Sequence, residues 1–174
     1  MASYTSRMEI ECFEIKWTGP YSLSEIRNKI EASDKGIYAV HKGKDIFYIG
    51  MSSKFGRRLT EHKRNWAHML GEKGVAKLRV FTGIVHWYES TTPSQDVNST
   101  QLRAIESFLI NYKPNKPEGN PDSDKKGYHG KISPVVVNTG KAIKLDKVIF
   151  HNSSIESLLK SNMIPKKRQS PSYY

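Results

Sequence analysis

Residues 36–50 read GIYAVHKGKDIFYIG, two β-prone runs, Ile37 to His41 and Ile46 to Ile49, joined by Lys42-Gly43-Lys44-Asp45. Aromatic and β-branched side chains favour extended backbone, and a glycine in a short polar joint favours reversal, so the stretch predicts a β-hairpin. Upstream, Ser33-Asp34-Lys35-Gly36 has turn chemistry. Before it, Ser22 followed by Glu25 offers a capping pair to a short helix expected over residues 22–32. Met8 to Trp17 alternate apolar and charged side chains and predict a half-buried strand, with the slip of phase from Cys12 to Phe13 read as a bulge and Thr18-Gly19-Pro20 as its end.

Downstream of Gly50 the period becomes helical, with Leu59, His62, Trp66, Met69 and Leu70 toward one side and Gly71 and Gly74 closing the helix. Lys77 to Glu89 is rich in Val, Phe, Ile, Trp and Tyr and predicts a third strand central to the sheet. After a polar loop, Ser99 or Thr100 is expected to cap an amphipathic helix carrying Leu102, Ile105, Phe108, Leu109 and Tyr112. Residues 113–130, with Pro114, Pro117 and Pro121, read as a long irregular segment. Two short strands, Pro134 to Thr139 and Lys147 to Phe150, then a helix over 155–163 and a polar basic tail, complete the chain.

The 174 residues carry a formal net charge of +11, which points to a polyanionic partner, because each Lys or Arg set on a phosphate releases condensed counterions. The single cysteine, Cys12, excludes an internal disulfide framework and a cysteine-based zinc site, and fits a reducing, cytoplasmic setting. No apolar run reaches the roughly 18 residues needed to cross a bilayer, and the first residues lack the apolar core of a signal peptide, so the protein is expected to be intracellular with no membrane partner.

The hairpin sets Gly36-Ile37-Tyr38 beside Tyr48-Ile49-Gly50, the pair of tripeptides that defines the GIY-YIG nucleases, and the chain resembles that family. The likeness continues in GMSSKFGRRLTEHKRN (50–65), which places Arg58 and His62 where the family has a helix-borne arginine and, in several branches, a histidine one turn later. It continues again in ESFLINYKPNKPEGN (106–120), which supplies Glu106 followed by Leu109-Ile110 and a Pro-Asn element. Asn115 and Asn120 compete for that asparagine, and Pro117-Glu118-Gly119-Asn120 keeps the local spacing better. The resemblance covers about half the chain. It implies an α/β domain with a small antiparallel central sheet flanked by helices and residues 36–120 as the nuclease core; the residues outside it read as a strand-helix extension packed on the core (1–35), a loop with a strand pair and helix (121–164) and a mobile basic tail (165–174). It also implies Mg²⁺ or Mn²⁺ as cofactor, Tyr38 as the better general base, and Tyr48 as the group that positions water or phosphate.

The residues themselves suit that chemistry. Phosphodiester hydrolysis needs an in-line nucleophile, neutralised phosphoryl charge and a stabilised leaving oxygen. Arg58 has the planar, permanently charged fork that clamps a phosphate, with Arg57 beside it as a rival. His62, four residues on, shares its helical face and titrates near neutrality. Tyr38 and Tyr48, with ordinary pKa values of about 10, serve as bases only if neighbouring cations depress them. Glu106 is the candidate metal ligand; one carboxylate suffices for Mg²⁺, which keeps several waters. Asn120 is expected to bond Glu106 or to fix the loop after its helix. Lys54, Arg57, Lys63, Arg64 and Lys116 are the candidate nucleic-acid contacts. The expected partner is DNA, double-stranded, with a homodimer if the enzyme is of restriction type. The rival expectations are a catalytically silent scaffold that binds nucleic acid or protein, and a nuclease acting on RNA.

Overall fold

The computed structural model describes residues 9–29, 34–89, 92–94, 97–112, 115, 117–128, 130, 132–141 and 144–150. The expected helix over 155–163, the basic tail and Lys116 lie outside the described residues. The fold is α/β: strands β1 (Glu9–Tyr21), β2 (Gly36–Lys42), β3 (Asp45–Ser52), β4 (Leu78–Glu89), β5 (Thr92–Ser94), β6 (Ile132–Gly140) and β7 (Val148–Phe150), with helices α1 (Phe55–Ala76) and α2 (Ser99–Asn111). The sheet order is β3-β2-β4-β1-β6-β7, with β5 paired on β4.

The sheet is mixed rather than antiparallel, because β1 pairs antiparallel with β4 and parallel with β6. The N-terminal strand therefore lies inside the sheet. Its alternation is regular: Phe13, Ile15 and Trp17 are buried, Ile10 is exposed, and pairing with β4 is continuous from Cys12 to Thr18. The irregularity falls between Thr18 and Tyr21, around Gly19-Pro20, and not at Cys12. Between β1 and β2 the expected helix is one 3₁₀ turn, Ile26–Asn28. The capping pair is made, since Ser22 N–H donates to Glu25 Oε2 at 2.7 Å and Glu25 N–H donates to Ser22 Oγ at 3.2 Å. Lys29 is already extended, so the turn ends once Leu23 and Ile26 are buried.

The two helices cover opposite faces. Ile15, Trp17, Ile37, Ala39, Ile49, Phe81 and Val136 pack with Leu102, Ile105, Phe108 and Leu109 of α2. Tyr38, Val40, Tyr48 and Val80 pack with Phe55, Leu59, Trp66 and Val75 of α1. A fully buried aliphatic or aromatic side chain of this kind contributes about 1.5–3 kcal/mol. Helix α2 opens on Asn98 rather than Ser99 or Thr100, in a reciprocal capping box with Gln101. Helix α1 runs past Gly71, which is non-helical (φ 69°, ψ 164°), and Val75 beyond the break returns to the core. Its apolar stripe passes through Leu70, leaving Met69 62% exposed. Among the described residues no helix is long and apolar enough to cross a membrane.

Strand β3 is an edge strand, and four of its outward backbone groups, from Phe47 to Met51, are satisfied without a further strand. Gly119 N–H donates to the Phe47 carbonyl, and Ile49 N–H donates to Asn120 Oδ1 at 2.9 Å. Asn120 Nδ2 in turn donates to the Ile49 carbonyl at 2.8 Å, and Met51 N–H donates to Glu106 Oε1 at 2.9 Å. Asn120 is buried and bonds β3 rather than Glu106. Replacing Asn120 by alanine would leave two buried backbone groups unpaired, at a cost of about 1–3 kcal/mol each. Urea denaturation of Asn120→Ala is expected to show that loss in the midpoint; an unchanged midpoint would mean water serves the edge equally well.

Candidate active site

Register brings the two tyrosines together. Tyr38 stands opposite Gly50 and Tyr48 opposite Val40, so the phenols are diagonal neighbours on one face of an antiparallel pair. Their rings stack with centroids 6.0 Å apart and planes 14° from parallel. A bulge at Phe47, where the register shifts between Val40 and His41, lets Phe47 and Tyr48 both enter the α1-side core. Gly50 makes room for Tyr38: a Cβ there would lie 2.4 Å from the Tyr38 hydroxyl oxygen. Gly36 is equally constrained, since a Cβ there would lie 2.2 Å from the Gly83 carbonyl oxygen. Gly50 thus serves close packing around the tyrosines, and Gly36 the close approach of β2 to β4 at Gly83.

Helix α1 delivers His62 and Arg58 to the same neighbourhood. The His62 ring stacks on Trp66, with centroids 5.0 Å apart, and lies 4.8 Å from the Tyr48 ring. Its Nε2 is 3.4 Å from the Tyr48 hydroxyl, a loose contact. Burial, reinforced by the Arg58 charge, lowers the His62 pKa to about 4. At neutral pH the imidazole is uncharged and able to accept a proton. In the unfolded chain His62 protonates near pH 6.5 and in the folded protein near 4, so between these values the unfolded state binds more protons. Stability is therefore expected to fall as pH drops from about 6.5 toward 4, with His41, also lowered by burial, acting in the same direction. Proton NMR titration checks the assignment directly; a His62 resonance with its midpoint near 6.5 would contradict it.

Tyr38 behaves differently from the expected general base. It is fully buried, and no well-aligned hydrogen bond reaches its hydroxyl among the described residues. Burial raises its pKa and Tyr48 adds to the rise; Arg58 opposes both without offsetting them. Tyr48 is raised too, by burial and then by the Glu106 charge. The depression by neighbouring cations that a tyrosine base requires is absent from the protein alone, because desolvation of a phenolate outweighs one nearby guanidinium.

Arg58 and Glu106, from different helices and opposite faces of the sheet, line one open cleft of about 580 Å³ at the end of β3. Met51 to Lys54 form its floor, and Arg57, Glu61 and Arg103 also face it. Glu61 pairs with two of the α1 arginines, at 3.0 Å from Arg57 and 3.4 Å from Arg58. Glu106 is half-buried, and burial raises its pKa against the lowering effect of the Met51 N–H. With Oε1 taken by that N–H, Oε2 remains for a ligand. Among the described residues no group of three or more His, Cys, Asp or Glu is placed to hold a metal ion. A lone carboxylate with a free oxygen beside open, water-accessible volume still fits a largely hydrated Mg²⁺ or Mn²⁺.

Of the five principal candidates, Arg58 and Glu106 line the cleft, whereas Tyr38, Tyr48 and His62 form a ring cluster that is not part of its lining and that the charges of Arg58 and Glu106 reach electrostatically; Asn120 lies along the β3 edge as a support. Lys54 and Arg57 line the cleft, whereas Lys63 and Arg64 are exposed farther along α1. Sequence reasoning passed over Arg103, Glu61 and Trp66. Helical spacing was the available signal: Arg103 is one turn before Glu106, Glu61 one turn after Arg57 and Arg58, and Trp66 one turn after His62. No protein-family model, curated protein or solved structure matches the chain.

Proposed function

We propose that the protein is a divalent-metal-dependent endonuclease of GIY-YIG type that hydrolyses DNA phosphodiester bonds in the cleft at the end of β3. The observation that supports this most is the shared cleft of Arg58 and Glu106, with the Tyr38-Tyr48-His62 ring cluster beside it. Glu106 would hold Mg²⁺ or Mn²⁺, which would supply charge neutralisation at the phosphoryl oxygens. Arg58 grips a non-bridging oxygen, a role its fork performs once it exchanges Glu61 for phosphate.

With both phenols held above their ordinary pKa and His62 held below its own, Tyr48 orients the attacking water rather than deprotonating it, its hydroxyl in loose contact with His62 Nε2. Tyr38, stacked beneath, holds the Tyr48 ring in place. With one cysteine and a positive charge excess, the protein is assigned to the cytoplasm, where nucleic acid is its polyanion.

The test incubates the purified protein with single-stranded, double-stranded and branched DNA and with RNA, each with Mg²⁺, with Mn²⁺ and with excess chelator. Metal-dependent cuts in duplex DNA are expected. Intact substrates throughout would reject the nuclease reading, cuts in RNA alone would reject DNA as substrate, and cutting that survives the chelator would reject the metal.

A further inference from the structure

The cleft has two walls. One is the first turn of α1 with Arg57 and Arg58, whose guanidiniums share Glu61; the other is α2, with Glu106 and, one turn before it, Arg103. Arg103 is exposed, faces the same volume, and among the described residues is engaged by no hydrogen bond or ion pair at contact distance. At longer range its charge favours the ionised form of Glu106. Arg103 lines the same volume as Arg57 and Arg58 and adds positive field to it. Glu61 forms contact ion pairs with Arg57 and Arg58, whereas Arg103 interacts with Glu106 only at longer range. A cation on the α2 wall held by no contact ion pair among the described residues matches an anion that enters with the substrate.

We infer that Arg103 is a substrate-binding residue that holds a backbone phosphate adjacent to the scissile one, so that the cleaved strand runs from the α1 wall across β3 to the α2 wall. This rests on the nuclease reading above and extends it, because it gives the strand a direction through the cleft. A phosphate contact positions the duplex without reading its sequence. Its loss weakens binding uniformly across sequences and removes one counterion from the salt dependence.

The experiment measures binding of a short fluorescein-labelled duplex over a series of salt concentrations for the wild type, Arg103→Gln and Arg103→Lys. Arg103→Gln is expected to flatten the slope of log K against log salt by about 0.9, and Arg103→Lys, which keeps the charge, to retain it. In cleavage, Arg103→Gln is expected to raise KM roughly tenfold with kcat within about twofold of wild type. Duplexes carrying one uncharged methylphosphonate at successive positions then locate the contact. Neutralising the phosphate next to the cut should weaken the wild type and leave Arg103→Gln unaffected. Equal salt slopes and equal methylphosphonate profiles for wild type and Arg103→Gln would overturn the inference. A wild type that shows the Arg103-dependent slope yet cuts nothing would overturn the nuclease reading while keeping the phosphate contact, so the two failures are distinguishable.

Discussion

Glu106→Gln is expected to yield a folded protein that no longer nicks DNA. The Met51 N–H needs only an oxygen acceptor at the Oε1 position, and a glutamine side chain supplies one at the same reach. The edge of β3 should therefore stay satisfied and thermal unfolding change little. What glutamine lacks is the negative charge that draws a hard cation to the free oxygen. Losing several kcal/mol of charge stabilisation in the transition state, taken as about 4, lowers the rate roughly 10³-fold. Conversion of supercoiled to nicked plasmid, measured beside the unfolding midpoint, reads both effects. Glu106→Ala adds a structural penalty because it also leaves the Met51 N–H unpaired, so the glutamine variant isolates the chemistry. Nicking at the wild-type rate by Glu106→Gln would remove the carboxylate from the reaction.

Arg58→Lys should cost on the order of 10²–10³ in kcat with a much smaller change in KM. Arg58 reaches the cleft from the first turn of α1 and is held near Tyr38, Tyr48 and His62, on all of which its charge acts. Lysine keeps the charge but replaces a planar two-pronged donor with a point cation, so the grip on a phosphoryl oxygen loses its geometry. Because Arg58 is about half exposed and its pairing with Glu61 is a solvent-screened surface contact, the fold should be indifferent to the change. Single-turnover cleavage at saturating DNA separates the chemical step from binding; a rate within about threefold of wild type would assign the clamp to Arg57 instead.

The hairpin and its two tripeptides were legible because their signals are local: β-prone runs and a glycine in the joint; the bulge at Phe47 that sets the facing of Tyr48 was not. Glu106 and Arg58 were legible as types on helices, and the cleft they share follows from α2 and α1 lying on opposite faces of an edge strand. The parallel pairing of β1 with β6 left no local trace, since it joins residues more than a hundred positions apart and replaces the antiparallel sheet expected. The role of Asn120 was hidden for a similar reason: its partner is the backbone of Ile49, and backbone groups have no sequence signature. Tyr38 looked like a base in sequence, and burial, which only packing reveals, set its pKa in the opposite direction. Of the helix expected over 22–32, the described residues form one 3₁₀ turn that ends at the extended Lys29, because a capping pair starts a turn but does not by itself propagate a helix.

The outer rim of β3 is finished by one amide, one glycine N–H and one carboxylate rather than by another length of chain. A bare rim would invite a second molecule to zip onto it and build an extended, aggregating sheet. With those positions already taken, continuous strand pairing of two copies along that stretch of the rim would first have to displace Asn120, Gly119 and Glu106.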